Sequence, residues 1–264
     1  MNPADLFDLH GRVALVTGGG THLGRAMAEA LAAQGARTYI AGRRTHIVEE
    51  AASDMRQAGL TCSALPLDIT DPVQVDRALS MIAEESGAID IMVCNAGSSA
   101  ETAYPPDTDI DTFSATMTSY VTGTVITANA AARQMVPRGS GSIITVSSIH
   151  GFLAADPRLY AGLMKMPRRS SLAYQTAKAA ILGITGNLAA EYGRLGVRVN
   201  CISPGHIPQD TADPDFVTRV VNGNALGIVG RPDDLKGAVV LLASEAGRFI
   251  TGHNLVVDAG WSIW

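Results

Sequence analysis

The 264-residue chain is poor in charge, aromatics and cysteine, and each shortage closes off a class of protein. Charged residues make up only 17 %, aromatics 5 %, and the net charge is −5 with no run of lysine or arginine. Phosphate backbones and anionic membrane surfaces select basic stripes, so neither nucleic acid nor membrane is an expected partner. No apolar stretch reaches the ~20 residues of a bilayer crossing, because Gly, Asn or a charge interrupts the best runs. The opening MNPADLFDLHGR lacks the basic-then-apolar order of a secretory leader, so the expected location is cytoplasmic. Cys62, Cys94 and Cys201 are odd in number, isolated, and set in or beside apolar runs. They read as buried thiols in a reducing compartment, and no metal site is expected.

What the chain has in quantity is apolar residue, 47 % of the total, enough for a well-buried core. Short β-branched runs (RVALVTG, ARTYIAGR, CSALPLD, IDIMVCN, GSIITVSS, VRVNCIS, HNLVVDAG) are separated by stretches of helical period, such as LGRAMAEALAAQGA and AYQTAKAAILGITGNLAAEY. A third helical stretch spans FSATMTSYVTGTVITANAAARQM. Strands alternating with helices predict right-handed crossovers, and strands apolar on both faces predict a buried parallel sheet. The alternation continues to the last strand without a linker, so residues 1–264 read as one α/β domain. Two segments interrupt it, at about 151–172 and 206–230. Both follow the carboxyl end of a strand, the edge at which open α/β sheets bind ligands.

The first turn, TGGGTHLG at 17–24, joins the first strand to the first helix. Gly18 permits the sharp turn, Gly24 lets helix and strand approach, and the N–H groups of the helix start face outward as a pyrophosphate cradle. Thr21, His22 and Leu23 complete the loop. His22 stands where a dinucleotide fingerprint has another glycine, and reads either as a ring turned aside that assists a phosphate or as an exposed loop histidine. The second strand ends in Gly42, Arg43 and Arg44, with no acidic residue to take ribose hydroxyls. Two arginines there suit a 2′-phosphate, which favours NADP with NAD as the other option; the plain reading is a solvated helix start.

Tyr174 and Lys178, in YQTAK, lie one helical turn apart on one face. A phenol of pKa about 10 is a poor base near neutrality. An ammonium at ~4 Å with an effective dielectric of ~20 would lower it by up to ~4 kcal/mol, about three pKa units. The phenol would then work as a general acid–base. Ser148, closing IITVSS, is placed to bond the same substrate oxygen.

These parts occur in one order: TGGGTHLG, Asp68 in PLDIT, CNAG at 94–97, SS at 147–148, YQTAK at 174–178 and SPG at 203–205. The chain resembles the short-chain dehydrogenase/reductase family over essentially its whole length, to the closing ITGHNLVVDAGW. The resemblance implies a doubly wound, three-layer Rossmann domain with a seven-stranded parallel sheet. It also implies reversible hydride transfer between NAD(P) and a secondary alcohol or ketone. By position, Tyr174 is the acid–base, Lys178 lowers its pKa and holds the nicotinamide ribose, and Ser148 orients the substrate oxygen. Asp68 and Ile69 meet the adenine, Asn95, Ala96 and Gly97 line the cofactor groove, and Pro204 and Gly205 flank the nicotinamide. A homodimer or homotetramer follows from the same resemblance, through helices at 110–136 and 172–193.

Two departures stand out. His22 is one. The other is Tyr120, in SYVTG, where the family usually carries an Asn that kinks the helix and supports a water relay to the lysine; impaired but persisting chemistry is expected. The interval of 26 positions between Ser148 and Tyr174 (174 − 148) exceeds the family's usual one. Its extra residues mix Phe152, Leu159, Tyr160, Met164 and Met166 with Arg158, Lys165, Arg168 and Arg169, which either attract an anionic substrate or decorate a contact. The 206–230 stretch is expected to be a lid. By analogy the substrate is a polyol, sugar or hydroxy acid; the alternatives are a 3-oxoacyl thioester reductase and a cofactor-binding pseudoenzyme.

Overall fold

A computed structural model of the chain describes residues 2–98, 105–163 and 171–264. Seven parallel strands form one sheet in the order β3-β2-β1-β4-β5-β6-β7. They are β1 (Val13–Thr17), β2 (Arg37–Gly42), β3 (Cys62–Pro66), β4 (Ile91–Cys94), β5 (Gly141–Val146), β6 (Val197–Pro204) and β7 (Asn254–Val257). Each matches one of the seven apolar runs. The α-helices among the described residues are α1 (His22–Ala33), α2 (Thr45–Gln57), α3 (Pro72–Ser86), α4 (Ile110–Met117), α5 (Gly123–Met135), α6 (Leu172–Tyr192), α7 (Pro214–Gly223) and α8 (Lys236–Ala243).

The two-sided burial of the strands follows from their period of two. Along β1, Ala14 and Val16 join a core with α1, α2 and α8, whereas Val13 and Leu15 join a second core with α3, α5 and α6. Ile40 opposite Tyr39, and Val93 opposite Met92, divide the same way. Each such Leu, Val or Ile withdrawn from water contributes about 1.5–3 kcal/mol. This is the three-layer, doubly wound arrangement expected. All three cysteines are buried free thiols, as expected, and burial pushes Cys62 up to about 11 and Cys94 up to about 12. No helix among the described residues is long and apolar enough to cross a membrane.

The long helical stretch departs from expectation. It is interrupted between α4 and α5 by a π-type turn at Thr118–Thr122, so the local irregularity persists with Tyr120 in place. The 206–230 stretch contains α7, started by Asp213, whose carboxylate accepts from the N–H of Asp215 at 2.9 Å. Of the extra segment, 151–163 forms short 3₁₀ turns and places Leu159, Tyr160 and Leu163 against Phe216 and Val220 of α7. Met164, Lys165, Met166, Arg168 and Arg169 lie outside the described residues.

The β1–α1 junction is a tight joint at the ligand edge. Gly18 has a φ of +66°, and a Cβ on Gly24 would collide with the Gly18 carbonyl oxygen and lie 2.6 Å from Asn95 Nδ2. Overpacking of this kind costs about 1–3 kcal/mol. Gly24→Ala is therefore expected to lower the urea midpoint and weaken uptake of NADPH; a variant with the parent's midpoint would show that the joint has slack.

Candidate active site

The first turn is held by Thr17 and Asn95. Thr17 Oγ1 donates to the Val93 carbonyl (3.1 Å) and accepts from the N–H groups of Asn95 and Ala96 (3.1 Å each). Asn95 Nδ2 donates back to the carbonyls of Thr17 (3.0 Å) and Gly18 (3.3 Å). The side chain of Asn95 thus fixes the glycine turn. The result is an open groove of about 1170 Å³ at the carboxyl edge of the sheet. Gly18, Thr21, His22, Leu23, Gly24, Arg43, Asp68, Ile69, Asn95, Ala96, Gly97, Tyr174 and Lys178 all line it. Arg44, Thr70, Thr116, Ser119, Tyr120 and Gln209 line it too, and of these only Arg44 and Tyr120 had drawn attention in the sequence.

Individual residues bear different loads. Arg43 is exposed and donates to Ser98 Oγ at 3.3 Å. Asp68 Oδ1 accepts from the N–H (2.9 Å) and hydroxyl (2.7 Å) of Thr70, and these bonds hold its carboxyl below the usual range. His22 adopts a positive φ of 46°, conformationally the glycine it replaces, and its Nε2 is buried without a partner. Burial lowers its pKa, against the pull of Asp210 in the 206–230 segment. Pro204 and Gly205 lie apart from the groove lining. A Cβ on Gly205 would sit 2.7 Å from Asp258 Cα, and Gly205 lines a separate cavity of about 210 Å³.

At the inner end, α6 places the expected trio. Ser171 caps the helix by accepting from the Tyr174 N–H at 3.1 Å, which fixes where the helix starts and therefore which way Tyr174 points. Tyr174 is hydrogen-bonded to the side chain of Ser148. Lys178 Nζ donates to the Val146 carbonyl at 2.8 Å and sits 4.5 Å from the centre of the Tyr120 ring. Tyr120 and Tyr174 meet edge to face at 5.6 Å. A Cβ on Gly97 would overlap the Tyr120 ring, so the bare backbone of CNAG is what admits this phenol.

The electrostatics correct one expectation. Burial raises the pKa of Tyr174, with the Ser148 hydrogen bond opposing it, and Lys178 does not lower it in the chain alone. The ammonium is 5.6 Å from the Tyr174 ring centre and is itself drawn down to about 8 by burial. It finds its compensation in the Val146 carbonyl and the Tyr120 ring rather than in the neighbouring phenol.

Around the site, Arg158 of the extra segment is ion-paired with Asp156 Oδ2 at 2.7 Å. Arg219 of α7 donates to the carbonyls of Arg158 (3.1 Å), Leu159 (3.1 Å) and Ala161 (2.7 Å), joining the extra segment to the 206–230 segment.

Comparisons with known proteins agree with this geometry. A family model described as Enoyl-(Acyl carrier protein) reductase matches residues 20–262. Zerumbone synthase of Zingiber zerumbet is 34 % identical, over 97 % of this chain and 96 % of that protein. The crystal structure of a short-chain type dehydrogenase/reductase from Mycobacterium marinum superposes with a TM-score of 0.87 at 34 % identity, covering 99 % of each chain. The chain belongs to the short-chain dehydrogenase/reductase family. A further member, a gluconate 5-dehydrogenase from Burkholderia cenocepacia in complex with NADP and tartrate, matches at 30 % identity and a TM-score of 0.88 over 99 % of each chain. Like its relatives, this short-chain dehydrogenase/reductase is an NAD(P)-dependent oxidoreductase that interconverts a secondary alcohol and a ketone.

The residues present fit a dinucleotide. The glycines keep the cradle free of Cβ atoms, and His22, whose Nε2 is buried without a partner, lines the same groove. Among the described residues, no cluster of three His, Cys, Asp or Glu is placed to hold a metal ion.

Two residues escaped the sequence reading. His150, two residues past Ser148, and His206, directly after Gly205, meet edge to face at 5.5 Å. Their partnership joins loops 56 positions apart (206 − 150), and no local spacing signals it. Burial, then the neighbouring His150, pushes His206 down to about 4. Above pH ~6.5 this imidazole is neutral whether the chain is folded or not. Below that, the unfolded chain takes up a proton that the folded one refuses until about pH 4, so stability falls over this window by up to roughly 3 kcal/mol. Thermal unfolding followed from pH 7 to pH 4 should show this loss, and His206→Gln should make it shallower; an unchanged slope would rule His206 out as its source.

Proposed function

We propose that the chain is an NADP(H)-preferring oxidoreductase of a polyol, sugar or hydroxy acid, with Tyr174 exchanging the proton. The reading is carried by one arrangement: Ser148 bonded to the Tyr174 phenol, and a buried lysine amine one turn later, at the inner end of a backbone-lined groove. When bound, the nicotinamide supplies or accepts the hydride.

The chain's own groups do the rest. Gly18, Thr21, His22, Leu23 and Gly24 present the pyrophosphate cradle, and the orphan His22 Nε2 is a candidate partner for its phosphate. Asp68 and Ile69 border the adenine, and Arg43 offers its guanidinium to a 2′-phosphate. Asn95, Ala96 and Gly97 wall the groove, whereas Pro204 and Gly205, at the end of β6, lie outside its lining and would meet the nicotinamide only if the bound cofactor extended past it. Lys178 has three N–H donors, of which Val146 takes one, so two remain for ribose hydroxyls. It is protonated below pH about 8, which places a buried positive charge beside the phenol.

In the reducing direction Ser148 orients the carbonyl oxygen, and Tyr174, kept protonated by burial, delivers its proton to that oxygen. In the oxidising direction the phenolate recovers the proton. Tyr120 supports Lys178 through its ring face instead of through an amide relay, so the chemistry persists with altered proton traffic.

The cluster of Leu159, Tyr160 and Leu163 on Phe216 and Val220 packs the extra segment against α7, which supports a small polar substrate over a long acyl chain. Residues 206–230, with α7, act as the lid and 151–172 as the substrate loop. A homodimer or homotetramer is supported by the exposed, uncharged face of α6 at Ala179, Gly183, Gly186 and Ala190.

Tyr174→Phe should lower turnover at least ~100-fold while NADPH still binds, as followed by cofactor fluorescence. Undiminished turnover would remove Tyr174 from the chemistry. Arg43→Ala should weaken NADPH at least tenfold more than NADH; equal weakening would place the arginine away from the 2′-phosphate.

A further inference from the structure

Five buried side-chain polar atoms among the described residues have no hydrogen-bond partner, and three are imidazole nitrogens: His22 Nε2, His150 Nδ1 and His206 Nε2. The first belongs to the cofactor groove. The other two form the His150–His206 pair, which bridges the carboxyl ends of neighbouring strands β5 and β6.

His150 is only 8 % exposed. It lies within one turn of Ser148, whose Oγ accepts from the His150 N–H at 3.2 Å. Burial lowers its pKa, opposed by the Leu153 backbone, and its Nδ1 is buried without a hydrogen-bond partner. His206 is boxed by Trp261 (4.5 Å between centres) and Phe216 (6.0 Å), both edge to face. Its Nε2 is unpartnered within this apolar frame. A frame of that composition would hold a leucine or phenylalanine at no cost, so two unpaired imidazole nitrogens point to a partner from outside the chain.

We propose that His150 and His206 are specificity-determining residues that receive a second hydroxyl of the substrate, and so select polyhydroxylated alcohols and ketones. The inference rests on Ser148 and Tyr174 holding the reacting oxygen, as proposed above. It also chooses within that substrate class. A hydroxyl both donates and accepts, so it meets an orphan imidazole nitrogen in either tautomer, whereas a carboxylate only accepts. Both rings are moreover kept neutral by burial, so the pair offers a carboxylate no charge. The recognised group is a neutral hydroxyl.

The test compares kcat/KM for a four-carbon tetraol and for butan-2-ol in the parent and in four variants. His150→Leu and His206→Phe delete the orphan nitrogens, while His150→Asn and His206→Gln keep a polar atom near each. The parent should prefer the tetraol. The tetraol-to-butanol ratio should fall at least tenfold in the first two variants, through KM, and recover in the second two. Parallel losses on both substrates, or an unchanged ratio, would overturn the inference and leave the proposed chemistry standing. No turnover of either by the parent, despite bound NADP, would overturn the proposed chemistry and the inference together. Should the apolar variants fail to fold, the ¹⁵N-histidine spectrum of the parent with NADP bound decides. Added tetraol must move the His150 Nδ1 resonance more than butan-2-ol does, and equal responses overturn the proposal.

Discussion

A lysine ammonium removed from water must find compensation within a few ångströms, and the inner end of this site is organised by how Lys178 finds it. The Val146 carbonyl, at the last residue of β5, takes one proton, and the face of Tyr120 lies under the charge. Neither is a full counter-ion, so the amine stays poised near neutrality, with a pKa of about 8. That requirement propagates outward. Tyr120 needs Gly97 to have no side chain; Gly97 follows the Asn95 that fixes the first turn; and the first turn makes the cofactor groove. A change in any of these would be felt at the amine.

Much of the architecture was legible because it depends on short-range patterns. Strands apolar on both faces, glycines at the first crossover, and Tyr174 one helical turn from Lys178 are local facts, and each of the seven apolar runs became a strand in one parallel sheet. The site residues named from motif order line one groove, Ser148, Pro204 and Gly205 excepted. What escaped was contact between segments far apart in the chain. The stacking of Tyr120 beneath Lys178, the pairing of His150 with His206, and the packing of Leu159 and Tyr160 on α7 depend on how loops fold over an edge, which no periodicity encodes. The acidity of Tyr174 is not legible from spacing for a related reason. Spacing on a helix shows that a charge is near, but desolvation is set by everything else packed around it.

Tyr120 shows how the family's scaffold tolerates a change at a site that usually carries an amide. The π-type turn at Thr118–Thr122 remains, so the backbone irregularity does not depend on an asparagine side chain. What changes is the kind of support offered to the lysine, from a directional hydrogen bond through water to a diffuse attraction toward an aromatic face. The buried Tyr120 phenol has its pKa raised, and it stays neutral throughout the range in which Lys178 titrates.

Arg219 makes two surface segments into one mechanical part. A single guanidinium that gathers three carbonyls from the 158–161 stretch leaves α7 little freedom to lift while that stretch stays behind. The two segments come from different crossovers of the sheet and are packed as one unit. Anyone grafting a new segment between Ser148 and Tyr174 would lose that packing unless α7 travelled with it, because the two surfaces fit each other.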